Sequence, residues 1–296
     1  MKLSILFENL RGSYFSVLKT PNEKVKEIKF LKKAEDIVAE LLNKKSRDKN
    51  VVEYIQNNRL TGYYVYLRER GILNPISGGE NLERDAYERL KKLLNTVNHL
   101  SVVAREIEVD FLVIKSLNML PYLPVSDVDV FVEDPKTIDY FERASNVYVK
   151  SNETEENKYN FLPRDSENFF KLSFHTAVTW DNVRVDDYTI SDMWEKCVQI
   201  LPYVSINSPI VEAHIRIQEC LLERLYLTLM DHLFLSNYLQ DWRCLEVSSL
   251  PKFIELKDLK NSKGRLLLKN MSRWILWRIY YLTTGLVPFH ERNSEH

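Results

Sequence analysis

Through the first third of the chain, apolar residues recur at three- and four-residue steps; beyond Asp110 they recur at every second residue. Val25, Ile28, Leu31, Ala34, Ile37, Val38, Leu41 and Leu42 form the first helical stripe. Thr20-Pro21-Asn22-Glu23 precedes it as a capping box, with proline at the first helical position. The lysines from Lys24 to Lys45 fill the other face and read as solvated helix surface. Residues 51–70 predict a further helix or helix pair, broken at Gly62 and closed by Gly71. Asn74-Pro75-Ile76-Ser77-Gly78-Gly79 reads as a linker. A third stripe follows in Leu82, Ala86, Leu90, Leu93, Leu94, Val97, Leu100 and Val103.

After Asp110 the elements become short strands. Phe111-Leu112-Val113-Ile114 reads as a buried strand, and Asp127-Val128-Asp129-Val130-Phe131-Val132 as another, ended by Pro135. Residues 146–150 and 158–162 predict a hairpin across the polar tip 152–157. Residues 170–178 alternate most clearly: Phe170, Leu172 and Phe174 point one way, Lys171, Ser173 and His175 the other. Val183-Arg184-Val185-Asp186 is placed to pair with that strand. From Ser208-Pro209 onward the pattern is helical again, with a long helix to about residue 235 and a last one near 265–282. The expected fold is α+β, a small mixed sheet between helical regions, with divisions at 1–80, 81–206 and 207–296.

Composition narrows the function classes. The chain has 296 residues, 45% of them hydrophobic, and only seven glycines, so a disordered or collagen-like protein is excluded. The formal net charge is −1, which argues against a protein that coats nucleic acid by charge alone. The apolar stretches 225–235 and 274–287 are short and carry Asp231 and His232, and Arg278, so no membrane span is expected. Cys197, Cys220 and Cys244 are widely spaced and form no CxxC pair. A soluble, cytoplasmic protein is the expectation. His214 and His232 lack a third nearby ligand for zinc, His99 reads as a helix-flank residue, and the methionines read as packing. The basic, Trp- and Tyr-containing stretch 257–281 reads first as an amphipathic helix that packs its aromatics inward, and otherwise as a surface for an acceptor RNA or the triphosphate.

One constellation carries chemistry. A strand ends at Lys115-Ser116; residues 117–126 follow, and then comes Ser126-Asp127-Val128-Asp129-Val130. Residues two apart on a strand share a face, so Asp127 and Asp129 present both carboxylates to one side. Two carboxylates there suit Mg²⁺ (or Mn²⁺), a hard cation that keeps substrate phosphates in its shell. The Ser116 hydroxyl and neighbouring amides, at a strand turn, suit phosphate oxygens. The plainer reading is an aspartate pair that caps turns and faces solvent; the preceding serine and the spacing favour the metal site.

This stretch resembles the nucleotidyltransferase superfamily with the polymerase-β-type palm, marked by a Gly-Ser turn and, about ten residues later, Asp-x-Asp. It is closest to a prokaryotic branch with Lys at the first turn position, a Ser-Asp-x-Asp strand and a later strand ending in His, as in Leu172-Ser173-Phe174-His175. Ser208-Pro209 with Glu212, Leu229-Met230-Asp231 and Asp241-Trp242 are similar to its helical tail. The resemblance covers roughly residues 100–245. It implies transfer of a nucleoside monophosphate from an NTP, with Asp127 and Asp129 holding the metal. Lys115, Ser116 and Ser126 would hold the triphosphate, and His175 would act at the acceptor. The acceptor is an RNA end, a protein hydroxyl or a small molecule.

Two departures stand out. Lys115 occupies a position that is glycine in most of the family; it either contacts phosphate or leans out of the turn. Ser173 stands where the third carboxylate belongs, and serine neither takes up a proton nor holds a metal as a carboxylate does. His175, Asp186 and Asp187 are the candidates to replace it, each with a structural reading beside it. A catalytically degenerate chain that binds nucleotide or a partner is therefore the alternative. A nucleic-acid-binding regulator built on residues 51–70 ranks below both.

Overall fold

A computed structural model describes residues 5, 36, 38–47, 50–57, 59–115, 126–155, 157–180, 183–184, 193–208, 211–213 and 215–216. The expected capping box at Thr20, the region 225–287, and the residues Ser116, Asp186, Asp187, His214 and His232 lie outside them.

Residues 38–45 are helical, and helices α1 (Val51–Asn57), α2 (Thr61–Glu69) and α3 (Gly79–Ile107) follow. The pair expected over 51–70 is present, but it breaks before Gly62, which lies buried in the first turn of α2. The chain reverses at Arg59, φ +57°, where the Arg59 N–H donates to Gln56 O (3.0 Å) and the Leu60 N–H to Ile55 O (2.8 Å). That double bond with a left-handed residue is a Schellman stop, which no glycine advertises here. Gly71, φ +70°, ends α2 by the same pattern, with Gly71 N–H to Arg68 O and Ile72 N–H to Leu67 O. The third helix buries the expected stripe from Leu82 through Val103, except that Leu94 is only half-buried.

The strand region forms a seven-stranded mixed sheet, so the architecture is α+β. Its members are β1 (Phe111–Ile114), β2 (Asp127–Phe131), β3 (Tyr148–Glu155), β4 (Lys158–Pro163), β5 (Lys171–His175), β8 (Cys197–Leu201) and β9 (Val204–Asn207). Helix α4 (Lys136–Ala144) joins β2 to β3, while β6 (Thr179–Trp180) and β7 (Val183–Arg184) make a separate ribbon. Spatial order is β3-β4-β5-β2-β1-β9-β8. Strand β1 runs antiparallel to β2 and parallel to β9, and β2 runs parallel to β5.

Three details differ from the sequence reading. The hairpin strand β3 runs through the polar tip as far as Glu155, with Asn157 in the turn at φ +62°. Val183–Arg184 pairs with Thr179–Trp180 rather than with β5. Helix α4 and the β8–β9 hairpin were not foreseen.

Alternation divides the sheet into two faces. Phe111, Val113, Val128, Val130, Phe161, Leu172, Phe174, Val204 and Ile206 join the apolar stripes of α2 and α3 in one core, which runs without interruption across residue 80. At its centre Phe141 of α4 lies 4.7 Å from Phe174 and 5.0 Å from Phe161, centroid to centroid. On the opposite face, Leu112, Ile114 and Phe131 pack against Met193, Val211 and Ile215. The polar residues of β2, β4 and β5 lie beside that second, smaller cluster. Among the described residues no helix is long and apolar enough to cross a membrane.

Helix α3 ends on Glu108, an exposed non-glycine residue at φ +56° whose N–H donates to Ala104 O. A carboxylate at a helix C-terminus also opposes the helix dipole. Glu108→Gly is expected to stabilise the protein by about 1 kcal/mol. Thermal unfolding should show Tm raised by about 2–4 °C.

Candidate functional site

Strand β2 enters the middle of the sheet carrying Asp127, Asp129 and Phe131 on the face opposite the main core. Neighbouring β5 puts Lys171, Ser173 and His175 on that same face, in register with them (Asp127↔Lys171, Asp129↔Ser173, Phe131↔His175). Strand β4 then aligns Asn160 with Ser173. The alternation that buries Val128, Val130, Leu172 and Phe174 is therefore what gathers the carboxylates, the serine and the histidine.

Asp129 is the centre of the arrangement. Its Oδ2 lies 3.1 Å from Lys115 Nζ and its Oδ1 lies 2.8 Å from His175 Nε2. All three side chains are nearly buried, at 11% exposure for Asp129, 14% for Lys115 and 12% for His175. Burial alone would push the Asp129 carboxyl up. The Lys115 ammonium and the His175 hydrogen bond outweigh it and hold the group well below the usual carboxylate range. An ionised carboxylate only accepts, so the His175 ring donates its Nε2–H to Asp129, leaving Nδ1 as the nitrogen able to accept when the ring is neutral.

Asp127 is partly exposed and bonded more lightly. Ser126 Oγ donates to its Oδ1 at 3.1 Å, and Ser173 Oγ stands 3.4 Å from its Oδ2. Ser173 also stands 3.0 Å from Asn160 Oδ1. One hydroxyl hydrogen cannot serve both acceptors fully, and the shorter contact takes the larger share. Ser173 is fully buried, so the expected third-carboxylate position is a closed polar bridge between β2 and β4.

Lys115 reaches Asp129 because its backbone turns left-handed, φ +61°, directly after β1. For a non-glycine residue that conformation costs about 1–2 kcal/mol, so it persists only where surrounding structure holds it. The holding group is Glu212, a wholly buried carboxyl that accepts the Lys115 backbone N–H. Asn207 Nδ2 donates to the Glu212 carboxylate at 3.3 Å, and Arg216 and the Lys115 ammonium lie near enough to favour its charged form. Burial dominates and raises the Glu212 carboxyl above its ordinary range. Glu212 gets there through a helix start. Ser208 Oγ accepts the Val211 N–H (3.4 Å), and Ser208 O accepts the Glu212 N–H (3.0 Å).

The chain matches no protein-family model, no curated protein and no solved structure. The site rests on its own geometry.

Of the expected residues, Lys115, Asp127, Asp129 and His175 are brought together, with Ser126 at the rim on Asp127. Ser116 lies outside the described residues, as do Asp186 and Asp187. His99 bonds Ser145 Oγ through Nε2 (2.9 Å) and packs against Tyr148, away from the site. Asn160, Lys171 and Asn207 were not singled out beforehand. For Lys171 and Asn160 the signal is register, a polar residue at an alternate position of a strand whose neighbours are apolar. Among the described residues no three His, Cys, Asp or Glu side chains gather as metal ligands. What the face offers is a pair of carboxylates with a serine hydroxyl beside them. That donor set is all oxygen and fits a hard divalent cation in part, with open positions for ligands from a substrate.

Proposed function

We propose that this protein is a metal-dependent nucleotidyltransferase built on a polymerase-β-type palm, transferring a nucleoside monophosphate from an NTP to an acceptor hydroxyl. The observation that carries this reading is the shared face of Asp127 and Asp129 at the middle of a mixed sheet, beside a strand turn that carries a lysine. A divalent cation bound by the two carboxylates would polarise the α-phosphoryl group and neutralise charge that develops on it. Lys115, at the turn, supplies a point charge for phosphate oxygens, and Lys171 adds a second cationic stem on the same face. His175 holds Asp129 in orientation through Nε2–H and has Nδ1 for the proton of the acceptor hydroxyl. The new bond joins the acceptor oxygen to the α-phosphorus, and the bond from that phosphorus to the β-phosphate bridge breaks, releasing pyrophosphate. Positioning and charge neutralisation do most of this work, and no covalent intermediate with the protein is needed. RNA ends, protein hydroxyls and small molecules are the acceptor classes to test.

One observation favours a second reading, a degenerate chain that binds nucleotide without turnover. Ser173 occupies the place beside Asp127 and Asp129 where a third carboxylate would take the acceptor proton. Incubation with each of the four α-labelled NTPs and Mg²⁺, with cell RNA and protein extract as acceptors, separates the readings. The control is Asp127→Asn, a partly exposed site where folding is expected to survive. Label transferred by the native chain and reduced at least about a hundredfold in Asp127→Asn supports the transferase. Mg²⁺-dependent NTP binding without transfer supports the binding protein, and the absence of both removes the nucleotide reading.

A further inference from the structure

We propose that the Lys115 ammonium is a resident cation of this site, seated on Asp129 until a triphosphate draws it away, so that Asp129 accepts a divalent ion together with nucleotide and not before. The proposal rests on the nucleotidyltransferase reading of the same residues and adds an order of binding to it.

Both oxygens of Asp129 are engaged, Oδ2 by Lys115 Nζ at 3.1 Å and Oδ1 by His175 Nε2 at 2.8 Å. Mg²⁺ or Mn²⁺ sits about 2.1 Å from a carboxylate oxygen. An ion on Oδ2 would therefore stand within about 5 Å of the ammonium, in surroundings where burial of all three side chains leaves the repulsion poorly screened. The lysine is not there by the chance drift of a long side chain. Its stem leaves a left-handed backbone turn (φ +61°), and that turn is held by the bond from its N–H to buried Glu212. A glycine would suit the backbone better, so what the turn gains from lysine is the charge it delivers. Asp127 differs, since its described partners are the hydroxyls of Ser126 and Ser173, which do not repel a cation. An incoming triphosphate changes the balance at Lys115, because its oxygens offer the ammonium several anionic acceptors at once.

The test is Mn²⁺ binding to the full chain without nucleotide, followed by the electron paramagnetic resonance signal of free Mn²⁺. The native chain should bind weakly. Lys115→Met should bind at least about tenfold more tightly, because the competing charge is gone. Lys115→Gly, which suits the left-handed turn, should show the same gain, so a folding defect in one variant does not hide the effect. Adding Asp129→Asn to either should abolish the gain and place it on this carboxylate. Saturable, tight Mn²⁺ binding by the native chain overturns the proposal without recourse to a variant, and so does an unchanged or weaker affinity in both lysine variants. Binding of Mg²⁺-ATP and the other three NTPs by equilibrium dialysis is measured separately. A gain in Mn²⁺ affinity with no NTP bound by any form would keep the lysine's role as resident cation and remove the nucleotidyltransferase reading. NTP binding with no gain would do the reverse.

Discussion

Asp129→Ala is expected to abolish the proposed nucleotide transfer and to leave the chain about 3–5 kcal/mol less stable at neutral pH, because it removes the shared partner of two nearly buried groups. Lys115 would keep an ammonium in a place from which water is largely excluded, and His175 would lose the acceptor that fixes its ring. Asp129→Asn separates the two effects. The amide keeps the volume and an oxygen for His175 but neither the charge for Lys115 nor a strong metal ligand, so transfer should still be lost while part of the stability returns. The pH dependence follows from the carboxyl's position below its ordinary range. In the unfolded chain this group titrates near 3.9. Its stabilising contribution is therefore complete above about pH 5 and is lost as pH falls toward the folded-state value, where the native form must also take up the proton. Urea unfolding of the native and Asp129→Ala chains should show a stability difference that is large at pH 7 and clearly smaller at pH 3. An equal difference at both would mean that the lost stability is packing rather than charge.

How much of this was readable beforehand depends on the kind of signal. The stripe from Leu82 to Val103 and the alternation Phe170–Leu172–Phe174 against Lys171–Ser173–His175 are periodicities, and they carried the long helix and the site strand directly into the structure. The Asp127–Asp129 face follows from the same two-residue period. Chain reversals were harder. Of the left-handed positions among the described residues, Arg59, Gly71, Gly78, Glu108, Lys115, Asn157 and Tyr203, only Gly71 and Gly78 are glycines, so a reader of punctuation finds the end of α2 and the start of α3 and misplaces another break at Gly62. Helix α4 has only Thr137, Ile138 and Phe141 buried, too few for a stripe to declare itself. The β8–β9 hairpin turns at Pro202–Tyr203 without glycine or asparagine, which is why it was missed. The electrostatic core of the site was out of reach for a different reason. Lys115 was visible as a departure from a glycine, but its place on Asp129 depends on a backbone angle and on Glu212, some 97 positions further along (212 − 115). No local pattern links residues so far apart in the chain. Ser173 was identified from the sequence as the weak point of a catalytic reading, and its closed bridge to Asp127 and Asn160 keeps that question sharp.

Phe174→Ala is expected to be the most damaging single change in the core, at about 3–5 kcal/mol. The ring is fully buried and meets three others, with centroids 5.5 Å from Phe111, 4.7 Å from Phe141 and 5.3 Å from Phe161. Each such pair adds about 0.5–1.5 kcal/mol beyond area burial, and truncation loses all of them together with the cavity it leaves. Domains of this kind are stable by only about 5–15 kcal/mol, so the variant would sit near its unfolding threshold at physiological temperature. The consequence for the site comes through one strand. Ser173 and His175 flank Phe174 on β5, and they face the carboxylates only because Phe174 is pinned to the other side. Relaxation of the strand into the cavity would lengthen the 2.8 Å contact between His175 and Asp129. Phe174→Leu, which retains most of the apolar volume, should cost less than half as much. Lys171→Ala, three residues earlier on the site face of the same strand, should stay within about 0.5 kcal/mol in stability while weakening any triphosphate binding. The expected result in urea is a midpoint that falls steeply for Phe174→Ala, moderately for Phe174→Leu and scarcely for Lys171→Ala, at a common slope. If Lys171→Ala matched Phe174→Ala in lost stability, the division of β5 into a core face and a site face would be wrong, and with it the placement of Ser173 and His175 beside Asp127 and Asp129.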